Sequence, residues 1–282
     1  MKKVLIFGAA GIGFKIYDEI KEENQILGFL DNDAKKWGLI FSGGAVLGNA
    51  GECAKLDFDE VIVAVIVNPN SVKKQLLEAG VPLEKINTQI VETWVQARIN
   101  FMRDFASDNM DIFEENICVA EGGVFRGDFS KEINKCFPKQ KLYLFDTFSG
   151  FDKRDTDVEQ ANDYSTATTG NYFQNTSEEY VLSRLPHREQ AIICKGYFPE
   201  TTLGIEHAKF GFVNLDFDLY NPILEGLRFF YSRMSKGGCI LVHDYFNPGY
   251  KGVKEAVMHF EAEQGKLVKF PIGDHCSIGI LR

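Results

Sequence analysis

Twice along this chain of 282 residues, an apolar run of strand length ends in a glycine-rich turn and leads into a helical pattern. That repetition constrains the fold more than any other feature, because strands alternating with helices build a parallel sheet covered on both faces. The first series opens with a strand over residues 3–8 and a helix over about 11–21. A strand over 25–31, another over 60–67 and a helix near 71–79 follow. The second series is fuller: residues 117–122, 141–146, 191–196, 210–216 and 239–244 are apolar runs that finish in Gly or an acid. Helical patterns at 128–137, 177–184, 222–234 and 253–264 lie between or after them, and strands over 267–272 and 277–281 close the chain. The pattern predicts an α/β protein of two Rossmann-like domains, the C-terminal one a doubly wound sheet. Their spans are 1–90 and 111–282, joined by an amphipathic helix over 91–110. On that helix Trp94, Ala97, Phe101 and Phe105 recur at helical steps, with Arg98, Arg103 and Asp104 between them. Such a helix packs the two domains or serves as the contact of a homo-oligomer.

Several function classes fall away on bulk properties. A net charge of −9 argues against nucleic acid as the main partner, since phosphate binding needs a basic surface. No apolar segment reaches membrane-spanning length, and residues 1–8 read as a first strand rather than a signal peptide, so the expected setting is cytoplasmic with no membrane insertion. The six cysteines (Cys53, Cys118, Cys136, Cys194, Cys239 and Cys276) are scattered without a CxxC pair. Neither a zinc cluster nor a disulfide framework is expected from them.

In open α/β sheets ligands sit beyond the carboxyl ends of the strands, so Asp146, Asp216 and Asp244 should face one crevice. Glu121-Gly122-Gly123-Val124-Phe125-Arg126-Gly127 follows the first strand of the second unit. Gly123 and Gly127 allow a tight turn and a close approach to a ligand, although the spacing departs from GxGxxG. Asp146, about 20 residues on, can accept hydrogen bonds from ribose hydroxyls. NAD and S-adenosylmethionine (SAM) both use such an arrangement. The acceptor half of the site is Asn214-Leu215-Asp216-Phe217-Asp218-Leu219-Tyr220 followed by Gly237 to Tyr245. Two carboxylates at adjacent strand ends, Asp216 and Asp244, suit a hard divalent cation such as Mg²⁺. Asp218 could reach a substrate hydroxyl on the same metal; the alternative is a cap for the following helix.

At these residues the second unit resembles the macrocin O-methyltransferase family of SAM-dependent enzymes that methylate sugar hydroxyls of antibiotics and related glycosides. The resemblance covers about residues 101–282. It rests on the ordered set from Glu121 to Gly127, Asp146-Thr147-Phe148-Ser149-Gly150-Phe151, Lys195-Gly196-Tyr197-Phe198-Pro199-Glu200-Thr201, Asn214 to Tyr220 and Gly237 to Tyr245. It implies a SAM-methyltransferase sheet with Glu121, Gly122, Gly123, Gly127, Asp146, Thr147 and Phe148 around SAM. It also implies Mg²⁺ or Mn²⁺ on Asp216 and Asp244, and Asp218 as general base toward a sugar, nucleotide-sugar or glycoside acceptor. The position of His243 is commonly aspartate in that family. Here an imidazole could be the third metal ligand, favouring Mn²⁺, or could assist proton transfer.

The polar stretch between Phe151 and Ser177 shows little apolar periodicity, and a long loop beside a site often serves as a lid. In the first unit, Gly8-Ala9-Ala10-Gly11-Ile12-Gly13 with Asp31 at the end of the second strand has GxxGxG spacing. This unit resembles small Rossmann-like domains found beside sugar-modifying enzymes, which implies a nucleotide or nucleotide-sugar ligand, or else a scaffold. Two other functions stay open: a nucleotide-sugar-binding module with an inactive methyltransferase half, and an NAD-dependent sugar oxidoreductase. No hydride-site His supports the latter in the first unit, which contains no histidine.

Overall fold

The computed structural model describes residues 1–65, 69–109, 116–165 and 172–282. The chain forms two compact units, Met1–Gln96 and Ala97–Arg282. The first contains β1 (Lys3–Phe7), α1 (Gly11–Ile20), β2 (Gln25–Leu30), β3 (Ile40–Phe41), β4 (Gly44–Gly48), β5 (Glu60–Val63), α2 (Pro69–Glu78) and β6 (Ile86–Asn87). Its sheet runs β3-β4-β2-β1-β5-β6 and is parallel except for the short β3 against β4. The strand expected over 60–67 ends at Val63, and its last two residues, Ile66 and Val67, lie outside the described residues.

The turn after β1 shows what its glycines do. A Cβ on Gly13 would stand 1.8 Å from the Gly8 carbonyl oxygen, so only glycine lets α1 pack this closely on the strand end. Asp31 accepts from the Ala9 N–H at 2.9 Å and from Lys36 Nζ at 2.9 Å. Its carboxylate therefore closes the turn from the neighbouring strand.

The helix α3 (Gln89–Asn109) crosses the boundary between the units. Val91 and Trp94 pack in the core of the first unit, Met102, Phe105 and Ala106 in that of the second. The second unit continues with β7 (Cys118–Gly122), α4 (Asp128–Cys136), β8 (Leu142–Asp146), α5 (Lys153–Asn162), α6 (Glu178–Arg184) and β9 (Ala191–Lys195). It ends with β10 (Phe210–Leu215), α7 (Tyr220–Tyr231), β11 (Met234–Val242), α8 (Lys251–Gln264), β12 (Val268–Pro271) and β13 (Ile278–Leu281). The sheet order is β12-β13-β11-β10-β7-β8-β9, parallel from β11 to β9, with β13 and β12 antiparallel at the other edge. Side chains alternate between two buried cores: Leu142, Leu144, Cys239 and Leu241 face one, Tyr143, Phe145, Ile240 and Val242 the other. Burial on both faces is why these strands read as near-continuous apolar runs.

Two expectations need correcting. β11 starts at Met234, not residue 239, because a break in register between Phe210 and Phe212 of β10 accommodates the polar residues 235–238. The stretch after Phe151 is not simply loop, since α5 occupies most of its first half. Its buried residues are Asp155 and Glu159, so no apolar stripe announces it. Residues 166–171 of the expected lid lie outside the described residues. No helix among the described residues is long and apolar enough to cross a membrane.

Candidate active site

β7 and β10 are neighbours at the centre of the second sheet, and the chain runs outward from them in opposite directions. Crevices open at such switch points, beyond the carboxyl ends of the strands. Hydrogen bonding continues one residue past those ends. The Asp216 N–H donates to the Gly122 oxygen at 2.8 Å, His243 to Leu215 at 2.9 Å and Gly123 to Phe145 at 2.9 Å. Asp216 and His243 are thus set in register beside the glycine-rich turn.

That turn is packed, not open. A Cβ on Gly122 would come within 2.2 Å of the Phe217 ring, and one on Gly123, at φ 81°, within 1.9 Å of the Asp216 carbonyl oxygen. The two glycines admit the Asp216-Phe217 backbone against β7. Gly127, also left-handed at φ 70°, is the N-cap of α4. Asp146 secures the turn from β8: its oxygens accept from the Phe125 N–H at 2.8 Å and the Phe148 N–H at 2.7 Å. Thr147 donates to the Gly150 oxygen at 2.6 Å and accepts from the Ser149 N–H at 3.2 Å, which holds Phe148 in its own left-handed conformation. Glu121 is 2% exposed and accepts from Ser130 Oγ and, at 2.9 Å, from Asn214 Nδ2. Burial pushes its carboxyl up to about 8 despite these donors.

The acceptor half brings four ionisable groups together. Asp216, Asp218 and Asp244 each present an oxygen, all three within 4.8 Å of one another. Asp218 and Asp244 adopt φ of 64° and 57°, a region that costs L-residues roughly 1–2 kcal/mol and that Asp tolerates better than most. His243 Nδ1 lies 2.8 Å from Asp216 Oδ1 and 3.0 Å from Asp244 Oδ2. Neither contact has hydrogen-bond geometry, and this buried nitrogen has no hydrogen-bond partner. Donors about 2.0–2.2 Å from one ion, at right angles or slightly wider, lie roughly 3 Å apart. These separations are those of an imidazolium paired with two carboxylates, and equally those of donors around one ion.

Charge is unevenly shared. Burial alone would raise Asp216, but His243 and the Arg98 guanidinium outweigh it and hold this carboxyl below the usual range. The same balance, led by His243, takes Asp244 far below it. Burial, then the facing Asp244 and Asp216, push Asp218 well above the usual range, opposite in direction to its two neighbours. Burial would lower His243; the two flanking carboxylates instead raise it well above the ordinary imidazole value.

Three residues of this centre were not singled out in the sequence. Arg98, on α3, donates to Asp216 Oδ2 at 2.9 Å and lies 4.2 Å over the Phe129 ring. Asn247 Nδ2 donates to Asp244 Oδ1 at 2.7 Å. Burial, then the charges of Asp218 and Asp244, raise the Tyr250 phenol. The only available signal was the position of Arg98 beside Ala97 of the apolar stripe.

The family model described as macrocin O-methyltransferase (TylF) matches residues 96–275, a span that includes Arg98, Asp216, Asp218, His243, Asp244, Asn247 and Tyr250. The chain belongs to the macrocin O-methyltransferase family. It is a SAM-dependent O-methyltransferase, which decides between SAM and NAD for the second unit. A separate model, described as C2185-like, N-terminal, matches residues 1–87. Among solved structures the chain is similar to the O-methyltransferase NovP, at 21% identity and a TM-score of 0.51, over 66% of this chain and 79% of that one. It is also similar to the calicheamicin methyltransferase CalS11, at 16% identity and a TM-score of 0.52, over the same shares, 66% and 79%. Likenesses at these identities bear on the fold of the second unit. No curated protein matches the chain.

Proposed function

We propose that the chain moves the methyl group of SAM to a sugar hydroxyl, with a divalent cation between Asp216, Asp244 and His243, and Asp218 receiving the hydroxyl proton. The reading is carried by the meeting of three carboxylates with a buried imidazole nitrogen that has no hydrogen-bond partner, at the switch point of a methyltransferase sheet. Mg²⁺ or Mn²⁺ bound there would lower the pKa of the hydroxyl and fix its geometry for in-line attack on the sulfonium methyl.

The protein's residues do the rest. Asp146 has lone pairs to spare after serving Phe125 and Phe148, and we assign it the ribose hydroxyls of SAM. Gly122, Gly123 and Gly127 shape the turn beside the cofactor, and Thr147 and Phe148 form its flank. Glu121 supports this wall from behind through Ser130 and Asn214. Arg98 orients Asp216. Burial first, and then the charges of Asp244 and Asp216, raise the Asp218 carboxyl; a cation on those two acids would relieve the second cause and favour the ionised form that a base requires. A sugar is the favoured acceptor because neighbouring hydroxyls allow two-point binding to one cation, in keeping with membership of the macrocin O-methyltransferase family. We assign a nucleotide or nucleotide-sugar to the first unit and a reducing cytoplasm as the setting, in keeping with six free thiols.

Calorimetry on three variants tests the division of labour. Asp216→Ala and Asp244→Ala are expected to lose the cation while retaining SAM. Asp218→Asn is expected to retain both and to lose about 10²–10⁴ in turnover, the usual value of a positioned base. Unchanged Mg²⁺ and Mn²⁺ affinity in the alanine variants would remove the assigned ligands.

A further inference from the structure

Cys276 lies one residue beyond the span matched by the family model, yet its sulfur enters the same centre. His243, Asp244 and Cys276 each present a donor atom, and these atoms all lie within 4.8 Å of one another. The Cys276 thiol donates to Asp244 Oδ1 at 3.3 Å, while the other oxygen of Asp244 is 3.0 Å from His243 Nδ1. A sulfur at about 2.3 Å and an oxygen at about 2.1 Å from one ion are separated by roughly 3.1–3.6 Å for angles of 90–110°. The observed separation falls within that range.

The thiol is also held in place. Asp274 Oδ1 accepts from the Cys276 N–H at 2.9 Å and from the Ser277 N–H at 2.7 Å, and its Oδ2 accepts from Ser277 Oγ at 2.5 Å. The Cys276 carbonyl accepts from the Phe246 N–H at 3.0 Å, tying the start of β13 to the turn after β11. Both backbone groups of Cys276 are therefore engaged, and the sulfur is aimed at Asp244 by a rigid frame, as a metal ligand requires. Beside the sulfur, His243 Nδ1 is a buried nitrogen outside hydrogen-bond geometry that faces the carboxylates of Asp216 and Asp244 at 2.8 and 3.0 Å.

We propose that Cys276 joins His243 and Asp244 as a ligand of the cation that Asp216 also faces, so that the added sulfur draws the centre away from the Mg²⁺ named above and toward a borderline-soft divalent ion such as Zn²⁺ or Co²⁺. This rests on the cation reading above and deepens it. Thiolate and imidazole favour such ions, whereas an all-carboxylate set suits Mg²⁺. Binding releases the thiol proton to solvent.

The test is a Co²⁺ titration of the chelator-treated full-length chain, read by absorption. Visible d–d bands report Co²⁺ binding, and a near-ultraviolet sulfur-to-cobalt charge-transfer band reports the thiolate. The wild type is expected to show both. Cys276→Ser and Cys276→Ala, with SAM affinity unchanged as a check of folding, are expected to keep the visible bands and lose the charge-transfer band. Their preference for Zn²⁺ over Mg²⁺, measured by competition, should fall at least about tenfold. Visible bands without charge transfer in the wild type, or charge transfer that survives both substitutions, would overturn the sulfur ligand and leave the carboxylate-histidine site standing. Absence of any Co²⁺ binding by the wild type would overturn both.

Discussion

At Gly123 the backbone is left-handed, and any side chain would strike the carbonyl oxygen of Asp216 at 1.9 Å. Together with Gly122, this position lets the Asp216-Phe217 backbone approach the glycine-rich turn after β7. Gly123→Ala is expected to destabilise the second unit by at least about 2–3 kcal/mol, from strained φ plus a backbone clash, and to weaken SAM binding. Thermal unfolding with and without SAM checks this; an alanine variant with unaltered melting and SAM affinity would contradict the packing account. The glycine was legible in the sequence, but its partner was not. A Gly after a strand suggests room for a ligand, and nothing in the spacing says that the room is taken by a peptide about 90 residues later. Arg98, Asn247 and Cys276 were hidden for the same reason: each acts through a contact distant in sequence or through a turn whose geometry no motif encodes. The meeting of Asp216 with Asp244 was legible because neighbouring strand ends in a parallel sheet converge by topology, and Asp218 follows Asp216 by two residues.

α5 is the element that sequence periodicity missed, and its packing explains why. Glu159, fully buried, accepts from the Tyr220 N–H at 2.7 Å and so caps α7, whose own N-cap Leu219 has no side-chain acceptor. A Cβ on Gly252, in the first turn of α8, would lie 2.8 Å from the same carboxylate. The inward face of α5 is acidic because it meets helix N-termini, where partial positive charge favours a carboxylate. Asp155, one turn earlier, accepts from Tyr197 Oη at 3.0 Å and Asn221 Nδ2 at 3.2 Å. Burial nevertheless pushes Glu159 up to about 7 from an ordinary 4.5. In the folded chain this group holds a proton below about 7, in the unfolded chain only below about 4.5, so its contribution to stability declines as pH rises between those values. Melting temperatures measured from pH 5 to pH 8 are expected to fall more in the wild type than in Glu159→Gln. The variant should gain up to a few kcal/mol at the alkaline end, since each tenfold change in proton affinity is worth about 1.4 kcal/mol. Parallel curves for the two proteins would remove Glu159 as the source.

The chain as a whole combines two α/β units, and their strand series was plain in the sequence because both sheets are buried on two faces. The short strands β3, β4 and β6 and the early start of β11 were not, since they carry too few apolar residues to form a run. The first unit keeps Asp31 occupied by Ala9 and Lys36, so a nucleotide there would have to bind chiefly through the turn at residues 8–13. A nucleotide-sugar at 100 times its Kd is expected to stabilise an isolated site by about 2.7 kcal/mol, seen as a melting shift. A broad nucleotide panel without any shift would make this unit a scaffold. The central claim, cation-dependent methyl transfer to a sugar, is tested most directly by following an isotopically labelled methyl from SAM into a sugar acceptor. The enzyme is stripped of divalent ions and then reloaded, and the product is located by mass spectrometry. We expect labelled O-methyl sugar only in the reloaded enzyme; full transfer to the same sugar by the metal-free enzyme would contradict the cation's role and leave the SAM-dependent methyltransferase standing.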